Sequence, residues 1–384
     1  MLRPLTALRF AAALLVFPWH AAATRAAAMQ LSLGYAGVTF FYVLSGFILT
    51  YTYEALFRGG LHRTALRSFW VARFARVYPV HVVAMTFMLI VLATIGGDHW
   101  NAGETVRAMQ LATSVLLLQS WFPAQDIHFA INGPAWSISV EAFFYALFPV
   151  ALVALLRVVR DASERVILFL AVMLCAVYIL TLLQVRAQFD QWSLYVFPPV
   201  RLVDFALGML LALAFLRRRA VTSLRVDATM LELAAIAAFF TGLGCAMLLP
   251  QSERFSAAFL PFAGLVIYVF AIGKGRVSQW LSAPALVRLG EASYAFYLLH
   301  LGIVQVVERA LGPDRKAAAW FLALTVSTAA SLAVYRSIET PLRRWIRHAW
   351  GGNRPAYTMP EAILTAAAGT NSAWQRYSAK AEIP

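Results

Sequence analysis

Arg9 and His20 stand eleven positions apart in the apolar run that opens the chain. At 3.6 residues per turn this is close to three turns, so both fall on one stripe of a helix, about 16 Å apart along its axis. An imidazole exchanges its proton near neutral pH, which makes His20 a candidate general base or nucleophile. The bland reading is a histidine bonded to a neighbouring helix. Glu141 follows Trp136 by five residues and would lie about 7 Å deeper along the same helix, with Trp136 as an interfacial aromatic anchor. A carboxylate beside an imidazole orients the ring and balances its charge, so Glu141 is expected to serve His20, unless it pairs with an arginine for structural reasons. Arg201 and Asp204, three apart, share a helix face, as a structural ion pair or as part of an acceptor site. His300 ends the segment GEASYAFYLLH, near mid-membrane, and Glu291 sits at its rim; His300 could equally be a core hydrogen-bonding residue. Arg73 and Arg76, within SFWVARFARVYP, either snorkel to lipid phosphates or make a fork suited to a phosphate-bearing ligand.

The elements that must position these groups are membrane helices. Of 384 residues 61% are hydrophobic and 13% charged, against about 25% charged in soluble domains. Ionisable groups inside spans cost about 2.5–3.5 kcal/mol each at the centre, so those retained point to function. The net charge of +14 does not indicate nucleic-acid binding, because the basic residues gather in short loops between apolar runs: Arg58 to Arg76, Arg157 to Arg165, Arg217 to Arg219 and Arg343 to Arg347. Such clusters mark the cytoplasmic side. Cys175 and Cys245 lie in apolar runs and read as small core residues, so no disulfide framework or metal site follows. The basic flank and apolar stretch at the N-terminus read as a first span and not as a cleaved leader.

A span needs roughly 20 apolar residues. On that basis spans are expected near 5–26, 36–54, 78–96, 136–156, 166–185, 197–216, 229–249, 257–273, 290–310 and 318–338. The segment from Val106 to Trp121 is short and carries Gln110 and Gln119. If it crossed, three basic clusters would fall outside, so it is read as re-entrant or lying on the outer surface. The expected fold class is an all-α, polytopic membrane protein of about ten spans plus that short helix, with both termini cytoplasmic. Residues 1–348 form the membrane domain, and residues 349–384, which lack a sustained apolar run, are expected to form a flexible cytoplasmic tail.

In order along the chain stand LTALRFAAALLVFPWH, GYAGVTFFYVLSGFIL, FWVARFARVYP, WSISVEAFFY, RLVDFALGMLLA, GEASYAFYLLH and IETPLRRW. This ordered set resembles the acyltransferase 3 family of membrane O-acyltransferases, with mild departures at Trp70 and Val77. The resemblance implies transfer of an acyl group, usually acetyl, from cytoplasmic acyl-CoA to a hydroxyl of an extracytoplasmic glycan or lipid-linked sugar, in a bacterial inner membrane. It maps the family's essential histidine to His20 and its first-span arginine to Arg9, and makes Arg73 and Arg76 the site for the nucleotide end of CoA. Small residues such as Ser45 and Gly46 would line the path of the acyl arm, while Trp136, Tyr145, Arg201 and Asp204 are the candidates for the acceptor. Some relatives carry an added hydrolase-like domain; this chain is expected to act without one. The alternative function is a transporter or flippase of polysaccharide intermediates, which would also need charges at midplane.

Overall fold

The computed structural model describes residues 2–96, 103–185, 190–218, 227–248 and 258–350. All but the first two residues of the expected tail 349–384, Arg219, and residues 249 and 257 at the edges of expected spans lie outside the described residues.

Among the described residues every regular element is helical. In order these are α1 (Arg3–His20), α2 (Arg25–Gln30), α3 (Leu33–Phe57), α4 (Arg63–Ile95), α5 (Glu104–Val115), α6 (Gln125–His128), α7 (Trp136–Val158) and α8 (Glu164–Val185). They continue as α9 (Pro198–Arg217), α10 (Ala228–Ala246), α11 (Leu260–Ile272), α12 (Arg276–Leu281), α13 (Pro284–Leu311), α14 (Lys316–Val334) and α15 (Thr340–Trp350). Each of the ten expected spans falls on one of them. Proline at the first turn starts α1, α9, α11 and α13, where its missing N–H costs nothing. Gly96, Gly273 and Gly312, all at positive φ, end α4, α11 and α13.

Among the described residues seven helical stretches are long and apolar enough to cross a bilayer on their own: those built on α3, α4, α7, α8, α9, α10 and α14. The other three expected spans differ for physical reasons. α11 has 13 residues, about 20 Å of helix. α1 and α13 carry the ionisable groups, and they can do so because they sit at the centre. α1 packs between α3 and α13, α3 lies on α9, and α13 is flanked by α4 and α14. α8, α10 and α14 are peripheral and expose Phe169, Val177, Leu180, Phe240 and Phe321, a surface that requires lipid. Cys175 is buried, but Cys245 is exposed on α10 and is not a core residue.

The segment expected to be re-entrant or superficial contains α5, whose 12 residues make about 18 Å of helix, too short to cross. It folds back on the end of the bundle: Gln110 Nε2 donates to the Asp126 carbonyl at 2.8 Å and Gln119 Nε2 to the Ala135 carbonyl at 2.9 Å.

Candidate active site

His20 is the last residue of α1. Pro18 withdraws a backbone donor from the final turn, and the next residue, Ala21, is extended at φ −89° and ψ 127°. Three bonds fix the chain beyond. Thr24 Oγ1 donates to the Pro18 carbonyl at 3.0 Å, the Ala22 N–H to Glu308 Oε1 at 2.7 Å, and Arg25 Nη2 to the His20 carbonyl at 3.3 Å.

The ring of His20 meets that of His300 edge to face, with Nδ1 of His20 3.0 Å from Nε2 of His300. His300 is fully buried, its Nδ1 lying 2.7 Å from the Tyr297 carbonyl and 3.3 Å from the Phe296 carbonyl. A carbonyl only accepts, so Nδ1 of His300 carries a proton. In the neutral ring Nε2 then offers only its lone pair, and His20 must donate from Nδ1. That leaves the lone pair of His20 on Nε2, the state a general base or nucleophile requires.

His20 lines a cavity of about 360 Å³. Trp19, Tyr35, Tyr195 and Trp136 form a continuous aromatic wall there, with successive ring centroids 5.0, 4.5 and 4.9 Å apart. Gln191 and Gln305 add amides, and Oε1 of Gln305 has no hydrogen-bond partner. A second, smaller cavity of about 40 Å³ is bordered by Arg9, Tyr42, Glu141 and Tyr294. Beyond it lie the basic side chains. Nη2 of Arg73 donates to the Tyr53 hydroxyl at 3.1 Å, and its guanidinium lies 5.4 Å from the Tyr53 ring centroid and 5.9 Å from that of Tyr145. Arg76 is ion-paired with the buried Glu339, which Arg343 approaches to 3.9 Å. Glu339 closes a π-helical turn, Tyr335–Glu339, a bulge that re-aims a side chain within an otherwise regular helix. Along α4, Arg73 and Met88, a wall residue of the larger cavity, are fifteen residues and so about 22 Å apart.

The structure corrects several expected placements. Glu141 does not reach His20: it accepts from Ser45 Oγ at 3.0 Å and shares the smaller cavity with Arg9. The five-residue step from Trp136 carries Glu141 down to the level of Arg9, and the partner of His20 comes from α13 instead. Gly46 faces α9 and not a passage, because a Cβ there would collide with the Phe205 carbonyl. Arg73 and Arg76 do not form one fork, since Glu339 engages Arg76 while Arg73 turns to Tyr53. Arg201 and Asp204 are a sealed ion pair at 2.6 Å, neither exposed to solvent, with Arg201 held between the Tyr42 and Tyr195 rings and bonded to Thr39. They support the aromatic wall from behind. Tyr145 lies beside Arg73, away from the larger cavity, whereas Trp136 lines it. The residues that sequence reasoning passed over are Tyr294 and Tyr297. Their spacing with His300, each three residues on, places all three on one side of α13, and that periodicity was the available signal.

Residues 4–336 match the acyltransferase domain family, acyltransferase 3. The chain belongs to this family. It is 29% identical to the acyltransferase MdmB of Streptomyces mycarofaciens, over 93% of this chain and 94% of that protein. It is 25% identical to the O-acetyltransferase OatA of Staphylococcus aureus, over 83% of this chain but 54% of the relative, so it spans about half the length of that protein. No solved structure matches. The protein is therefore a membrane acyltransferase, and a transport function is not needed to account for its central charges.

Proposed function

We propose that the protein transfers an acetyl group from acetyl-CoA, bound at the end of the bundle that carries Arg73, to a hydroxyl of a glycan or lipid-linked sugar in the cavity of His20. The observation that carries this reading is the His20–His300 contact, which leaves a bare Nε2 on a ring that lines a ligand-sized cavity. The volume of about 360 Å³ lies in the range of small-molecule sites. Basic clusters lie on the cytoplasmic side by the loop-charge rule, so the Arg73 end faces the cytoplasm and the His20 cavity the outer side of a bacterial inner membrane.

In this reading Arg73, with an Nε that lacks a partner, attracts the phosphates of CoA, and Arg9 and Glu141 border the way inward. The Nε2 lone pair of His20 takes the acceptor proton as the hydroxyl oxygen attacks the thioester carbonyl. The C–S bond breaks, and the imidazolium returns the proton to the thiolate. His300 keeps the ring in the required tautomer and orientation, the part that a carboxylate plays in hydrolytic triads.

The test uses the full chain in nanodiscs with radiolabelled acetyl-CoA and an envelope glycan fraction. Label moves to glycan with the wild type, and His20→Ala abolishes the transfer at unchanged protein level. Transfer that persists in His20→Ala defeats the proposal.

A further inference from the structure

The cavity of His20 and the cavity of Arg9 and Glu141 have a common wall, because Val38 and Tyr297 border both. Tyr297 is buried against Phe41, with ring centroids 5.8 Å apart. Its hydroxyl is 2.8 Å from Ser137 Oγ and 3.1 Å from the Pro134 carbonyl, while Ser137 Oγ is 3.0 Å from that same carbonyl. Two hydroxyl protons thus serve three contacts in a closed triangle. Whichever hydroxyl donates to the other, the tyrosine is tied to the start of α7.

Val38 and Tyr297 are where the two cavities adjoin, so an acyl arm that passes from the smaller cavity to His20 crosses there. The wall therefore stands between a thioester and the water of the larger cavity. Tyr297 has a second connection, through its backbone: its carbonyl accepts from Nδ1 of His300 at 2.7 Å. Rotation of the side chain off Ser137 leaves that carbonyl where it is, so the wall can open without disturbing the histidine pair.

We infer that Tyr297 decides whether the acyl group goes to the acceptor or to water. Tied to Ser137 and Pro134 it separates donor from base, and it swings aside only as the acyl arm enters. This rests on the donor direction proposed above. The reaction held back is hydrolysis: water oxygen attacks the thioester carbonyl, the C–S bond breaks, the proton passes through His20 to the thiolate, and acetate and CoA leave.

The experiment needs no acceptor. The full chain in nanodiscs is given acetyl-CoA alone, free CoA thiol is followed, and acetyl-CoA binding is measured in parallel. Tyr297→Phe keeps the ring and the carbonyl but removes the hydroxyl. It is expected to raise acceptor-free CoA release about tenfold, on the scale of one lost hydrogen bond's preference for the closed wall. Ser137→Ala, which keeps the tyrosine, gives a smaller rise. Val38→Trp fills the passage and brings release to background with acetyl-CoA binding retained. A merely structural role would lower release in all three. The inference is overturned if Tyr297→Phe and Ser137→Ala bind acetyl-CoA as the wild type does but release CoA no faster. Wild-type protein that binds no acetyl-CoA would overturn the donor reading and this one with it.

Discussion

Replacing His300 separates a ring that merely packs from one that sets the state of His20. His300 makes two kinds of contact: Nδ1 to the carbonyls of Tyr297 and Phe296, and Nε2 to His20 at 3.0 Å. A Gln side chain reaches as far as Nε2 and can present Oε1 to the His20 Nδ1–H. An Asn side chain reaches only as far as Nδ1, so it can keep a carbonyl bond but leaves His20 Nδ1 without its acceptor. Losing a net hydrogen bond costs about 1 kcal/mol, and a donor left unpaired in a buried place about 1–3 kcal/mol. At about 1.4 kcal/mol per factor of ten, His300→Asn is expected to slow acetyl transfer about 10- to 100-fold. His300→Gln should stay within several-fold of wild type, and His20→Ala should show no transfer. Initial rates of labelled acetyl transfer, at saturating acetyl-CoA and matched protein, measure this. Asn and Gln variants that fall together, or that both match the wild type, would show that the tautomer argument is wrong.

Two further expectations concern the frame. Glu339 is fully buried and paired with Arg76, so Glu339→Gln strands a guanidinium at a cost of about 3–5 kcal/mol. Its melting temperature in detergent should drop clearly, and adding Arg76→Gln should recover part of the loss; a single variant that melts with the wild type would contradict the ion pair. Gly208 meets α3 so closely that a Cβ would run into the Val43 carbonyl. Gly208→Ala should therefore cost about 1–3 kcal/mol by overpacking, read in the same melting assay, and an unchanged midpoint would mean that α3 and α9 are not in such close contact.

Hydrophobic run lengths and the placing of arginines in short loops carried the membrane class and the positions of the helical segments, seven of which are long and apolar enough among the described residues to cross a bilayer, and kept the Val106–Trp121 stretch apart from them. These are properties of consecutive residues, and a bilayer imposes them on each segment separately. His20 and Arg9 were equally visible, since an ionisable group in an apolar run stands out without knowledge of its neighbours. What surrounds them was decided by the tertiary structure. The partner of His20 is 280 positions away on α13, and Glu141 belongs with Ser45 and Arg9. No periodicity in α1 or α7 reports how far one helix slides along another. That offset is set by close packing, as where Gly46 and Gly208 let α3 and α9 touch, and by bulges such as the turn that aims Glu339 at Arg76. The sequence alone determined which side chains must lie within the bilayer. Packing decided which of them meet, because a contact between helices depends on rotation and depth together, and neither is written in a single segment.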